Sequence, residues 1–297
     1  MKNRWLLNIV LAALFGALVL VAVYKPGSKN EAVPPPLTTL SVEGVTQLRL
    51  RRPKQPEVIL EKQDGDWRLT APRRARANGF RVSDLTRLAT APVKTRFAAK
   101  PEELGKYGLD RPVATVTLND AEIRFGALHP LANEVYVLHA GQVQLVAAST
   151  LHGATAPVED LFSPNLLEDK VKITALRLPG FSLKQNDQGA WVRTPELKEL
   201  ESDRINRFVD EWRYARALSV APARAAPARE RVSITVADAD KTRTLVFGIV
   251  ARKPELVLVR ADERLEYHFP EDAAGRLLEL KPEKHDSAPS TNGQPAH

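Results

Sequence analysis

The feature that most limits the fold of this chain is an internal repeat. Val45-Thr-Gln-Leu-Arg-Leu50 returns as Ile173-Thr-Ala-Leu-Arg-Leu178. Asp64-Gly65-Asp66-Trp67 is echoed by Gln188-Gly189-Ala190-Trp191, each just after a run that can form a strand. A helix-period segment follows in both copies. Val82, Leu85, Leu88 and Ala89 share one face in the first, and Ile205, Phe208, Trp212 and Ala215 share one in the second. Asn78 and Ser202 precede them as N-caps. Alternating strands come next, at 115–118 and 233–236, then Phe125-Gly126 against Phe247-Gly248. Each copy closes on a hairpin-like pair, 134–138 with 143–146 and 256–260 with 265–269. Self-similarity of this kind means one supersecondary unit used twice.

Each copy reads β-hairpin, helix, antiparallel meander, so the expected class is α+β with tandem repeats at residues 41–165 and 166–281. Asp64-Gly65 between 58–62 and 67–70 supplies the first hairpin with a favoured type I′ turn. The pattern is compatible with a pseudo-symmetric pair of sheets and with one mixed sheet shared by both copies. Of the 297 residues, 43% are hydrophobic and 27% charged, which suits a chain that buries a core. Cysteine is absent, which excludes disulfides, thiol catalysis, cysteine-ligated metal and an acylated lipoprotein cysteine.

Ahead of the repeats, residues 5–24 form an apolar run with no charge and one amide, Asn8. At 1.5 Å per residue about 20 residues cover roughly 30 Å, the hydrocarbon thickness of a bilayer. Lys2 and Arg4 precede the run, Lys25 and Lys29 follow it, and Trp5 and Tyr24 stand at its ends. A cleaved signal would be shorter and would end on small residues at the cut. Val21-Ala22-Val23-Tyr24 does not. The expectation is an uncleaved signal anchor at 1–24 that contacts inner-membrane lipid. Its short basic N-tail favours a periplasmic C-terminal part. Residues 25–40, with four prolines, read as an extended spacer, and residues 282–297 read as a disordered tail.

One stretch exists only in the first copy, Pro101-Glu-Glu-Leu-Gly-Lys-Tyr107-Gly108-Leu109-Asp110-Arg111-Pro112. Pro101 can open a helix at N1 with Glu102 and Glu103 at its positive end. Gly108 can take the left-handed C′ position, folding Leu109 back on Leu104 in a Schellman closure. With Glu61-Lys62, Asp64-Gly65, Trp67, Leu69-Thr70 and Pro72 before it and residues 114–118 after it, this order resembles the bacterial family named domain of unknown function 4340. The likeness is clear over 45–150 and looser in the second copy, where 221–231 replaces the connector. It implies a single N-terminal span, an exported α+β repeat and no established enzymatic activity. It also implies a kinship with accessory proteins of ABC-type export systems.

The residues show no catalytic constellation. The six histidines (His129, His139, His152, His268, His285, His297) lack metal-ligand spacing, and no phosphate loop or nucleophile motif occurs. Glu102, Glu103, Asp110, Asp120 and Glu122 sit in capping, turn and strand-edge contexts rather than apolar ones. No cofactor, metal or nucleic-acid partner is expected. The net charge of +7 is concentrated in part around Arg73, Arg74 and Arg76. These three, with Tyr107 and Asp110, are the candidate partner or anion contacts. The functional expectation is a non-enzymatic, membrane-anchored periplasmic scaffold or accessory protein. Its partner would be an envelope protein, with ABC-type transporter subunits the candidates. The alternative is an envelope glycan or polyanion binder or a glycan hydrolase, marked by a buried acid pair between the repeats.

Overall fold

The computed structural model describes residues 2–24, 34–224, 228–238 and 241–282. The repeat appears as two separate antiparallel sheets. The first contains β1 (Gln47–Arg51), β2 (Val58–Gln63), β3 (Asp66–Ala71), β4 (Ala75–Arg76), β5 (Thr95–Ala98), β6 (Ala114–Leu118), β7 (Ala121–Leu128), β8 (Glu134–His139) and β9 (Gln142–Ala147). Their spatial order is β4-β3-β2-β1-β6-β7-β8-β9-β5. The second contains β10 (Lys172–Leu178), β11 (Phe181–Gln185), β12 (Trp191–Thr194), β13 (Ser219–Pro222), β14 (Glu230–Asp238), β15 (Lys241–Ala251), β16 (Leu256–Arg260) and β17 (Leu265–Phe269). Its order is β12-β11-β10-β14-β15-β16-β17-β13. With β10 laid on β1, every strand of the second sheet finds a counterpart in the same position, and only β4 has none. The shared mixed sheet is thereby replaced by two sheets of one topology.

Local chemistry accounts for the hairpins. Asp64 and Gly65 both have positive φ, 53° and 89°, and Gln63 pairs with Asp66 across a two-residue turn. The second copy turns differently. Asn186 Oδ1 accepts from the N–H groups of Gln188 and Ala190, and Gly189 has φ 79°, so a longer loop joins β11 to β12.

Helices α2 (Gly79–Thr86), α3 (Ser149–Thr155), α4 (Ser202–Arg213) and α5 (Ala273–Leu278) complete the repeats. The anticipated apolar faces are the buried ones. Val82 and Leu85 of α2, with Leu88 and Ala89 of the 3-10 turn after it, lie in the core, as do Ile205, Phe208, Trp212 and Ala215. Two capping expectations change. Asn78 does occupy the N-cap of α2, but its Nδ2 donates to Asp160 O instead of capping. Ser202 is the first helical residue of α4 and Glu201 takes the cap. In the second copy Trp212 Nε1 donates to Leu277 O at 2.7 Å, which ties α4 to α5.

The repeat unit begins earlier than its strands. In the first copy Leu37 N–H donates to Ala91 O and Val93 N–H to Pro35 O. In the second Leu166 N–H donates to Ala215 O and Ala217 N–H to Pro164 O. Residues 34–40 of the expected spacer thus belong to the folded first repeat, with Leu37 and Thr38 buried. Apolar burial reaches them because Leu37 fills the place that Leu166 fills in the second copy. Residues 25–33 of that spacer, and 283–297 of the expected tail, lie outside the described residues.

The connector takes the expected closure on a 3-10 helix, Pro101–Tyr107. Gly108 has φ 66°, Leu109 N–H donates to Leu104 O at 2.9 Å, and Gly108 N–H donates to Gly105 O at 3.2 Å. The connector crosses the sheet directly over Gly126, where an added Cβ would stand 2.2 Å from Tyr107 O. Gly248 is the counterpart in the second copy, and a Cβ there would meet Ala228 Cβ at 2.5 Å. The repeated Phe-Gly pair therefore has one cause in both copies: a chain segment passes close over the strand, and only glycine leaves room.

Helix α1 (Lys2–Tyr24) is 23 residues long. Its described side chains, Trp5 and residues 8–20, are all exposed, and none joins the core. Among the described residues no helix is long and apolar enough to cross a membrane, the unbroken run of described side chains in α1 being residues 8–20, so the fold alone does not establish the expected anchor at 1–24.

Candidate functional site

The two repeats meet along the β4 edge of the first sheet. Asn78 N–H donates to Leu161 O, Ser163 N–H donates to Arg76 O, and Ala77 bridges Phe162. These bonds seat the 158–171 linker against β4, and Leu161, Phe162, Leu166 and Leu167 continue the core from one repeat into the other.

Arg76 closes this seam. Its Nε donates to Glu263 Oε1 at 2.7 Å, and its Nη2 donates to Asn165 O at 2.8 Å and to Tyr267 Oη at 2.9 Å. Tyr267 in turn donates to Glu263 Oε2 at 2.7 Å. A second arginine, Arg260 at the end of β16, donates to both carboxylate oxygens of Asp262, to Leu166 O and to Glu168 Oε1. Arg243 of β15 reaches the same Glu168 Oε1 at 2.8 Å, while Oε2 is buried without a hydrogen-bond partner among the described residues.

The field of these arginines decides the protonation of the acids. Burial alone would raise the Glu263 carboxyl, but the charges of Arg76 and Arg260 outweigh it and hold Glu263 below the usual range. Glu168 is governed likewise, with burial opposed by Arg260, Arg76 and Arg243. Asp262 is lowered chiefly because its hydrogen bond and ion pair with Arg260 overcome burial. Burial, joined by the Glu263 charge, pushes the Tyr267 phenol far up, so it remains a neutral donor.

The candidate contact residues separate in this frame. Arg76 is 7% exposed and holds the repeats together, so it does not form an outward strip with its neighbours. Both residues of β4 are buried, and the bonds to Glu263, Asn165 and Tyr267 hold the Arg76 side chain in the seam. Arg74 is exposed, and Arg73 donates to Arg264 O of the second repeat. Tyr107 lies near the opposite edge of the sheet, half-buried between Phe97 and Tyr136 with ring centroids at 5.5 and 4.8 Å. Asp110 beside it is exposed. The acids Glu103 and Glu122 are engaged by Lys106 and by Arg51 and Arg124. His129 Nδ1 accepts from two backbone N–H groups of its own loop, and His139 Nδ1 contacts Glu122 O.

Beside the seam opens a cleft of about 590 Å³. Trp67 and Arg68 of β3, Phe80 of α2, Lys170 of the linker, Arg216 and Lys241 line it, together with Arg76, Glu168 and Arg243. Sequence reasoning missed Glu168, Arg260, Glu263 and Tyr267, because each is an ordinary charged or aromatic residue of a loop, turn or strand. Only the packing of one repeat on the other brings them together.

The family model described as domain of unknown function (DUF4340) matches residues 67–242, more than half of the chain. The chain belongs to this family. The DUF4340 match starts at Trp67 in the first hairpin and runs to the start of β15, so it spans parts of both repeats and most of the cleft. No match was found among curated proteins or among solved structures.

Proposed function

We propose that this DUF4340 protein is a non-enzymatic, membrane-anchored scaffold or accessory protein of a bacterial envelope complex, with α1 in the inner membrane and the repeats in the periplasm. The observation that carries the reading is α1 itself. Trp5 and Phe15 are 71% and 70% exposed, and residues such as Leu11, Leu14 and Leu18 also face outward, away from any core. Large apolar side chains on all sides of one helix fit lipid far better than water. The basic residues and aromatic ends that flank the run agree with this placement.

The electrostatics of the seam count against glycan hydrolysis by its acids. Glycoside hydrolysis needs one carboxyl kept protonated near neutral pH and another ionised. Glu168 and Glu263 are both held as carboxylates by their arginines. The family resemblance to accessory components of ABC-type export systems directs the search for a partner. Pull-down of the tagged full-length chain from native membranes in mild detergent should recover an envelope complex in stoichiometric amount, with transporter permease or ATPase subunits as the expected components. Recovery of the chain alone would contradict the accessory role.

A further inference from the structure

We propose that the cleft between the repeats binds an acidic glycan, that is, hydroxyl-bearing sugar rings that carry carboxylate or phosphate groups. The proposal does not depend on membrane anchoring. It starts from charges left without a counterpart. Arg76 and Arg243 are committed to Glu263 and Glu168. Arg68, Lys170, Arg216 and Lys241 line the same cleft and have no side-chain hydrogen bond or ion pair among the described residues. Arg68 is only half-exposed and stands opposite Arg76 in the β3–β4 ladder. A partly desolvated guanidinium with no acceptor favours an anion arriving from outside.

The rest of the lining narrows the class of anion. Asp66, Asp169 and Asp238 stand among the cations, so a bare polyanion would meet repulsion where hydroxyl donors would be welcome. Phe80 is 67% exposed at the first turn of α2, with the half-exposed Trp67 on the same wall. Such faces suit the apolar side of a sugar ring. Asn78 and Asn165 donate their Nδ2 groups to Asp160 O and Asp169 Oδ1, which leaves their Oδ1 oxygens as acceptors suited to hydroxyls. A neutral sugar would leave Arg68 unsatisfied, and inorganic phosphate would leave the aromatic wall unused. An acidic sugar answers both.

The test is calorimetric titration of the full-length chain in nanodiscs of zwitterionic phosphatidylcholine, which avoids sugar-based detergents and anionic headgroups. The probes are tetragalacturonate and glucose 6-phosphate, which distinguish carboxylate from phosphate, with maltotetraose as the neutral control. Saturable one-site binding of at least one acidic probe is expected, with none for maltotetraose. Arg68→Glu and Lys241→Glu should each weaken it about tenfold or more, as loss of a charge-assisted hydrogen bond does. Phe80→Ala should weaken it severalfold, and Lys184→Glu, on β11 outside the cleft, should leave it unchanged. Lys241 is exposed, so its variant keeps the test decisive if Arg68→Glu unfolds the chain. The proposal is overturned by no binding of either acidic sugar, by equal binding of maltotetraose, or by indifference to both charge reversals. Tighter binding of inorganic phosphate or of hexaglutamate than of either acidic sugar would overturn it too.

Discussion

Arg76 shows what a single side chain does in this molecule. It satisfies the Glu263 carboxylate, two carbonyls of the linker and the Tyr267 hydroxyl, all from within the seam. Removing it leaves a buried carboxylate without its partner, so Arg76→Met should destabilise the chain by about 3–5 kcal/mol in urea unfolding. Adding Glu263→Leu should recover much of that loss, which a purely steric role for Arg76 would not allow. The same group sets a pH dependence. Glu263, Glu168 and Asp262 have carboxyls lowered in the folded state. Their contribution is present above the unfolded carboxyl range near pH 4 and is lost as pH falls through the folded values. The melting temperature should therefore drop below about pH 5, and Arg76→Met should show a shallower drop. None of this was legible in the sequence, where Arg73, Arg74 and Arg76 look alike. Arg73 and Arg74 precede the two-residue strand Ala75–Arg76, both of whose residues are buried, and only the second repeat reveals what covers this edge.

At the scale of elements the sequence was far more readable, because turns and caps depend on near neighbours. Asp64-Gly65 forms the expected hairpin turn, and Gly108 closes the connector through Leu109 and Leu104. Its helix is a 3-10 helix, a tighter winding suited to a short segment that must lie flat on a sheet. The Phe-Gly pairs were visible as a repeat, but their cause was not, since it lies in chain segments crossing from elsewhere. That cause makes a sharp prediction. In Gly126→Ala the new methyl meets the backbone oxygen of Tyr107, which cannot turn aside as a flexible side chain could. The variant should lose about 2–3 kcal/mol in urea unfolding, the cost of overpacking. Gly141→Ala in the β8–β9 turn is the comparison, because its methyl would meet no atom within 4 Å and only its φ of 71° is strained. It should lose about 1 kcal/mol.

For the whole molecule, duplication could be read from matched segments 128 positions apart at Val45 and Ile173. The separation into two sheets could not, since hairpin and meander patterns fix neighbours within a copy and say nothing about the edges. The edges decide the matter: β4 is held by the linker, and the cleft exists because two complete units dock side by side. In the proposed function, what matters at this scale is where the docked pair is placed, and α1 is the element assigned to place it. The most direct measurement uses intact cells and spheroplasts that express the full-length chain with a C-terminal epitope. After alkaline carbonate extraction the epitope should stay with the membrane pellet at full length. Added protease should remove it in spheroplasts but not in intact cells. Release of the chain into the carbonate supernatant, or an epitope protected in spheroplasts until the inner membrane is lysed, would contradict a periplasmic scaffold held by α1.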